Sequence, residues 1–251
     1  MTIPHRLIGT GDHKVLVLHD WFGTSAGWGP FPDYLDGAAF SYAFLDYRGY
    51  GERKDVPGAY TLAEIADDAL ALVDQLGWES FSLVGHSMGG KAAQQVLAQA
   101  PDRVRKLVGL TPVPPGPYPM GPDDEKLFFG AAEDREKRYA ILDRVTGNRA
   151  GRVWLDLMTA RSLELSTREA FGAYVRDWTA ADLVDRVAGN PLPVKVIVGR
   201  HDTLLSAEAM RAAFLGHYPG SELEEIADSG HYPMHETPVA LAVSIESFLS
   251  R

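Results

Sequence analysis

The chain of 251 residues contains no cysteine. Disulfides, thiolate metal centres and a cysteine nucleophile are therefore excluded together. Basic residues are also in deficit: 24 Lys and Arg stand against 34 Asp and Glu, a formal charge of −10. That balance argues against a phosphate-backbone partner, so nucleic acid is not expected as a ligand. No apolar run reaches membrane length, and Met1 to Lys14, which contains Pro4, His5, Gly9 and Gly11, has no continuous apolar core of the signal-peptide kind. The expectation is a cytoplasmic protein without a membrane partner. Repeats and low-complexity tracts are absent too, which leaves nothing to divide the chain into arrays.

What is present is a strong alternation of strand-like and helix-like segments. Phe81 to Gly90 reads Phe-Ser-Leu-Val-Gly-His-Ser-Met-Gly-Gly and passes directly into the helix-forming run Lys91 to Ala98. A strand turning into a helix at a serine forces Ser87 into a strained backbone, with Gly85 and Gly89 where side chains would collide. The hydroxyl is left at a helix N-terminus, where developing negative charge is favoured.

Before it, Lys14 to Leu18 is an uninterrupted apolar strand ending in His19-Asp20-Trp21-Phe22-Gly23-Thr24. The end of such a strand is where open α/β sheets bind ligands. A helix is expected near Trp28 to Leu35 and a second strand over Ser41 to Leu45, closed by the Asp46-Tyr47-Arg48-Gly49-Tyr50-Gly51 turn. Thr61-Leu62-Ala63-Glu64 reads as a capping box whose glutamate reaches back to a free amide, and Leu62, Ile65, Ala69, Leu72, Val73 and Leu76 recur behind it at helical spacing up to Gly77. Lys106 to Leu110 supplies another strand. The alternation implies a mostly parallel sheet with helices on both faces.

The rhythm breaks at Thr111, where five prolines between Pro112 and Pro119 admit neither helix nor central strand. From Asp123 to Ala188 the pattern is helical throughout. A strand then returns at Val194 to Val198, followed by a helix near Ala207 to Leu215, a strand near Leu223 to Ile226 and a last helix over Pro238 to Leu249. The expected organisation is an α/β core over residues 1–112 and 189–251, with residues 113–188 inserted between two strands as a helical cap.

A serine needs a base and the base an orienting carboxylate. His231, in the loop Asp228-Ser229-Gly230-His231-Tyr232-Pro233 after the last strand, is the best placed of eight histidines. His235 is the nearest rival but falls at the start of the following helix, and His86 points the other way along the turn. Strand ends converge on one rim: the strand ending at Leu110 offers no acid, whereas Val194 to Val198 is followed by Gly199-Arg200-His201-Asp202. Asp202 is thus the expected carboxylate, with Asp228 as a competitor better suited to shaping a turn. Two amides are needed for an oxyanion, and Met88 after the nucleophile and Trp21 in the first loop are the candidates.

These features together resemble the α/β-hydrolase family, in particular small carboxylesterases with a helical lid. The resemblance spans nearly the whole chain: the loop at His19, Asp46 to Gly51, Gly85-x-Ser87-x-Gly89, Asp202 and His231, in the order Ser, Asp, His. It implies the α/β-hydrolase fold and an acyl-enzyme mechanism on a small ester, with Ser87 as nucleophile, His231 as base and then acid, Asp202 as orienter, and Trp21 and Met88 as oxyanion donors. No cofactor or metal is implied. A serine at position 87 sets the chain apart from relatives that open epoxides or displace halide with a carboxylate.

Carbon–carbon bond hydrolysis, perhydrolysis and cofactor-free dioxygenation remain alternatives on the same triad, as does a non-catalytic receptor for a small ligand. Phe128, Phe129, Trp154, Met158, Tyr174, Trp178 and Leu204 are candidate pocket residues, each with packing inside the lid as its alternative. One departure stands out: Asp20 occupies the place where the family usually has glycine. Its tolerance of left-handed backbone would let the loop form, and its carboxylate would either face the pocket or serve a turn-capping or solvent-facing role.

Overall fold

A computed structural model describes residues 2–251. Seven strands, β1 (His5–Ile8), β2 (His13–Leu18), β3 (Phe40–Leu45), β4 (Phe81–His86), β5 (Val104–Leu110), β6 (Val194–Gly199) and β7 (Ser221–Ile226), form one sheet in the order β1-β3-β2-β4-β5-β6-β7. All neighbours run parallel except β1, which pairs antiparallel with β3 at one edge. The central strands β3, β4 and β6 are buried along their whole length, as a sheet covered on both faces requires. β1 is the one strand absent from the sequence expectation. Four residues between Pro4 and Gly9 give too short a pattern to distinguish an edge strand from a loop.

The helices are α1 (Leu62–Gln75), α2 (Met88–Gln99), α3 (Pro122–Gly130), α4 (Arg135–Val145), α5 (Arg152–Leu165), α6 (Arg168–Ala180), α7 (Val184–Val187), α8 (Ala207–Ala213), α9 (Pro233–Glu236) and α10 (Pro238–Leu249). Five of them, α3 to α7, lie between β5 and β6 in the chain. No helix among the described residues is long and apolar enough to cross a membrane.

Two local expectations need correction. The segment Trp28 to Leu35 holds a single 3-10 turn, Phe31–Tyr34, instead of a helix, because Gly29 at φ 55° leaves the helical backbone and Pro32 lacks the amide that would bond the Trp28 carbonyl. The capping box is also only half formed. Thr61 Oγ1 accepts the Glu64 amide, but the Glu64 carboxylate accepts from Ala59 and Tyr60, since Tyr60 at φ 57° folds those two amides over it.

The sheet order fixes where a site can form. β3 and β4 flank β2 on opposite sides, so the connections leaving β2 and β4 diverge and open a crevice at the carboxyl ends of the strands. At Gly89 a Cβ would collide with the carbonyl oxygens of Leu18 and His19, so glycine alone lets the start of α2 press against the end of β2. Gly85 faces the same restriction from the Gly89 carbonyl. Gly199 does the equivalent work across the sheet, where a Cβ would enter the carbonyls of Ser229 and Gly230. Those two approaches bring three loops to one rim.

Candidate active site

Ser87 stands between β4 and α2 at φ 54° and ψ −116°, a conformation that L residues rarely adopt. Its main chain is held on both sides: the Ser87 amide donates to Leu110 O at 2.9 Å, and Ser87 O accepts from Gly90 N and Val113 N. Strain is thus imposed by the strand ladder and by the segment leaving β5.

His231 and Asp202 meet beside it. His231 Nδ1 lies 2.6 Å from Asp202 Oδ2, with both side chains buried. Asp202 spends its other oxygen on the amides of Leu204 and Leu205, each at 2.9 Å. A carboxylate can only accept, so the proton sits on His231 Nδ1 and Nε2 is left with its lone pair. Burial works to lower the His231 pKa, yet the Asp202 carboxylate, with smaller contributions from Asp20 and Glu236, raises it above its ordinary value. The loop itself is clamped by Glu236 of α9, which accepts from Gly230 N at 2.8 Å and from Tyr232 N at 3.0 Å, one residue on either side of His231. The His231 amide donates to Val145 O at the end of α4, so the inserted helices touch this residue directly.

Ser87 and His231 both line a cavity of about 40 Å³ under the inserted helices, together with Asp20, Trp21 and Phe22 from the loop after β2. Trp21 is fixed from three directions: Tyr50 donates to its carbonyl at 2.9 Å, its indole nitrogen donates to Phe171 O at 2.8 Å, and its ring stacks on Phe171 at 4.2 Å. The Asp46 to Gly51 turn is therefore a brace for this loop, with Tyr47 hydroxyl also donating to His19 O. Neither the Trp21 amide nor the Met88 amide donates to an acceptor among the described residues.

Of the apolar positions singled out in the sequence, Phe128, Trp178 and Leu204 line the cavity. Trp154, Met158 and Tyr174 do not, and the expectation is corrected for all three. Trp154 packs edge-on to Tyr232 and His235 and lines a different cleft. Met158 is buried in the core. Tyr174 sits one helical turn from Trp178 on α6, over the Asp46 to Gly51 turn, where its hydroxyl donates to Arg48 O at 3.2 Å. Phe129 is half-buried and meets Arg176 outside the cavity. The remaining lining comes from Val113, Tyr118, Ile141, Val145, Leu205 and Tyr232, none of which the sequence pattern distinguished from ordinary core.

Asp20 is buried, and its backbone is not left-handed: the non-glycine residues with positive φ are Tyr60, Ser87, Thr111 and Asn148. Tolerance of that conformation is not what admits it. Its Oδ2 accepts from Phe22 N at 3.2 Å, the turn-capping contact, and also from Tyr232 hydroxyl at 2.8 Å. His86 Nδ1 lies 3.7 Å from Oδ1, and His86 Nε2 is 2.8 Å from His231 O. Burial opposes the charge on Asp20, but His86, His19 and Tyr232 outweigh it and hold the carboxyl well below the usual carboxylate range. Of the other rivals, His235 is half-buried with Nε2 3.1 Å from Gly27 O, and Asp228 is exposed.

The alpha/beta hydrolase family model matches residues 15–244. The chain belongs to the alpha/beta hydrolase family. Proteins similar in sequence include an uncharacterized protein of Mycobacterium tuberculosis, 27% identical over 97% of this chain and 77% of that protein. Another is the 2-hydroxy-6-oxononadienedioate/2-hydroxy-6-oxononatrienedioate hydrolase of Escherichia coli, 25% identical over 97% of this chain and 89% of that protein. Among solved structures, an esterase of Exiguobacterium antarcticum has the same fold, with a TM-score of 0.88 at 22% identity, covering 99% of this chain and 96% of that one.

Proposed function

We propose that this member of the family is a serine hydrolase that cleaves small to medium uncharged carboxylic esters through an acyl-enzyme. The observation that carries the reading is the 2.6 Å contact of His231 Nδ1 with buried Asp202, on a histidine that shares one cavity with a serine at φ 54°. In this reading Ser87 Oγ attacks the ester carbonyl carbon while His231 Nε2 takes the hydroxyl proton. The carbonyl oxygen becomes an oxyanion between the Trp21 and Met88 amides, and the fixed Trp21 loop keeps its donor in place before charge develops. His231 then passes its proton to the departing alkoxide. Water repeats the sequence on the acyl-enzyme, releasing the acid and returning the proton to Ser87.

Carbon–carbon bond hydrolysis is the second reading, favoured by the likeness to the Escherichia coli hydrolase. The substrate in that protein's name is a dioate. The residues lining the cavity here include Asp20 and no lysine or arginine, a composition that disfavours a dianion.

Turnover of p-nitrophenyl acetate and butyrate tests the leading reading. Ser87→Ala should lower kcat by roughly three orders of magnitude or more and abolish labelling by a fluorophosphonate probe. Undiminished turnover in that variant would remove Ser87 as nucleophile.

A further inference from the structure

The cavity above Ser87 is too small for a whole ester. It encloses about 40 Å³, whereas sites that bury a small organic ligand run to roughly 300–1,000 Å³. Most of any substrate larger than a few heavy atoms must lie elsewhere. A groove of about 450 Å³ runs along the outside of the cavity wall, between the proline-rich segment that leaves β5 and helix α8. Cavity and groove share Tyr118, Leu204 and Leu205 as common lining. The clefts beside Trp154 and beside Trp78 share no residue with the cavity.

The shared wall is three side chains on a fixed main chain. Leu204 and Leu205 have their amides bound to the same Asp202 carboxylate that holds His231. The Tyr118 amide donates to Thr179 O at 2.8 Å, and its ring faces Trp178 of the cavity at 5.8 Å. Tyr118 and Leu204 are half-buried and Leu205 is buried, so what separates the two compartments is side chains rather than main chain, and side chains change rotamer without moving the backbone that positions the triad candidates.

Composition sets what the groove would take. Pro114, Pro117 and Pro119 form one side and Ala209, Met210 and Ala213 the other, and Tyr118 and His217 supply the polar side chains. No lysine, arginine, aspartate or glutamate lines it. An uncharged hydrocarbon fits this surface, gaining burial with no charge to desolvate. Proline side walls also lose little conformational entropy when a ligand orders them.

We propose that this groove is a second substrate subsite, which holds the apolar chain of an ester whose carbonyl lies over Ser87. The proposal rests on the serine-esterase reading. The chain is the acyl or the alkoxy part of the ester, and two substrate series separate these sources. In p-nitrophenyl esters the acyl group lengthens from two to twelve carbons; in alkyl acetates, followed by proton release, the alcohol lengthens from ethyl to decyl.

In the series that uses the groove, kcat/KM should rise at least tenfold between the two-carbon and eight-carbon members. Ala209→Trp and Ala213→Trp, which fill the α8 side, should each reduce that eight-to-two ratio toward one. Ala213 is exposed, so its variant folds even if the half-buried Ala209 position resists the larger side chain. Flat chain-length profiles in both series, or ratios unaffected by both tryptophan variants, would overturn the subsite while leaving the esterase reading in place. No turnover of any ester by the wild-type chain would remove both.

Discussion

Two histidines at this rim each face a buried aspartate, and they are not equivalent. His231 contacts Asp202 at 2.6 Å through Nδ1 and keeps Nε2 for the cavity that Ser87 lines. His86, the residue before the serine, is 3.7 Å from Asp20 and has committed Nε2 to the carbonyl of His231. Asp20 in turn is occupied by Tyr232 and the Phe22 amide. The pairing of imidazole with carboxylate does not by itself make a base. What separates the two is an uncommitted ring nitrogen facing the cavity, and His86 has none.

The contrast is sharpest in the aspartates. Asp202→Asn would offer an amide where His231 needs an acceptor, favouring the tautomer with Nε2 protonated, and kcat for ester hydrolysis should fall by about 10³–10⁴-fold. Asp20→Asn retains an oxygen for Tyr232 and the Phe22 amide, so the expected loss in kcat/KM is only about tenfold, or ~1.4 kcal/mol. Comparable losses in the two variants, measured on the same ester, would erase the distinction drawn between the pairs.

A pH profile resolves the smaller effect further. Nε2 accepts a proton only when His231 is neutral, so activity falls as pH drops through the His231 pKa. That value is raised from 6.5, chiefly by Asp202 against burial and in lesser part by Asp20. The acid limb of kcat/KM should therefore lie above pH 6.5 in the wild-type chain and move to lower pH in Asp20→Asn. An immobile limb in that variant would make Asp20 a purely steric partner of the loop.

The same comparison shows where sequence reasoning reaches. Ser87, Asp202 and His231 can be proposed together from the chain because each sits just past a strand with a recognisable end, and strand ends meet on one rim. Gly89 and Gly199 mark the two close approaches that bring those ends together. The role of Asp20 is different in kind. Its partners Tyr232 and His86 are 212 and 66 positions away, and no periodicity links them. The cavity lining fails for a related reason. Helical spacing reports that Trp154, Met158 and Tyr174 are turned inward, but not toward which of several neighbours. Trp178 and Tyr174 share a face of α6, and a single turn separates the cavity wall from the brace under the Asp46 to Gly51 turn.

The backbone at Ser87 carries a cost that the rest of the molecule absorbs. A non-glycine residue at φ 54°, ψ −116° is disfavoured by about 1–3 kcal/mol. Glycine would occupy the position freely, offset by ~0.5–1 kcal/mol of extra chain entropy in the unfolded state. Ser87→Gly should accordingly raise the free energy of unfolding in urea by about 1 kcal/mol, whereas Ser87→Ala, equally strained, should leave it near the wild-type value. Only glycine relieves the strain and glycine carries no hydroxyl, so under the proposed role of Ser87 as nucleophile durability and reactivity are set against each other at one residue.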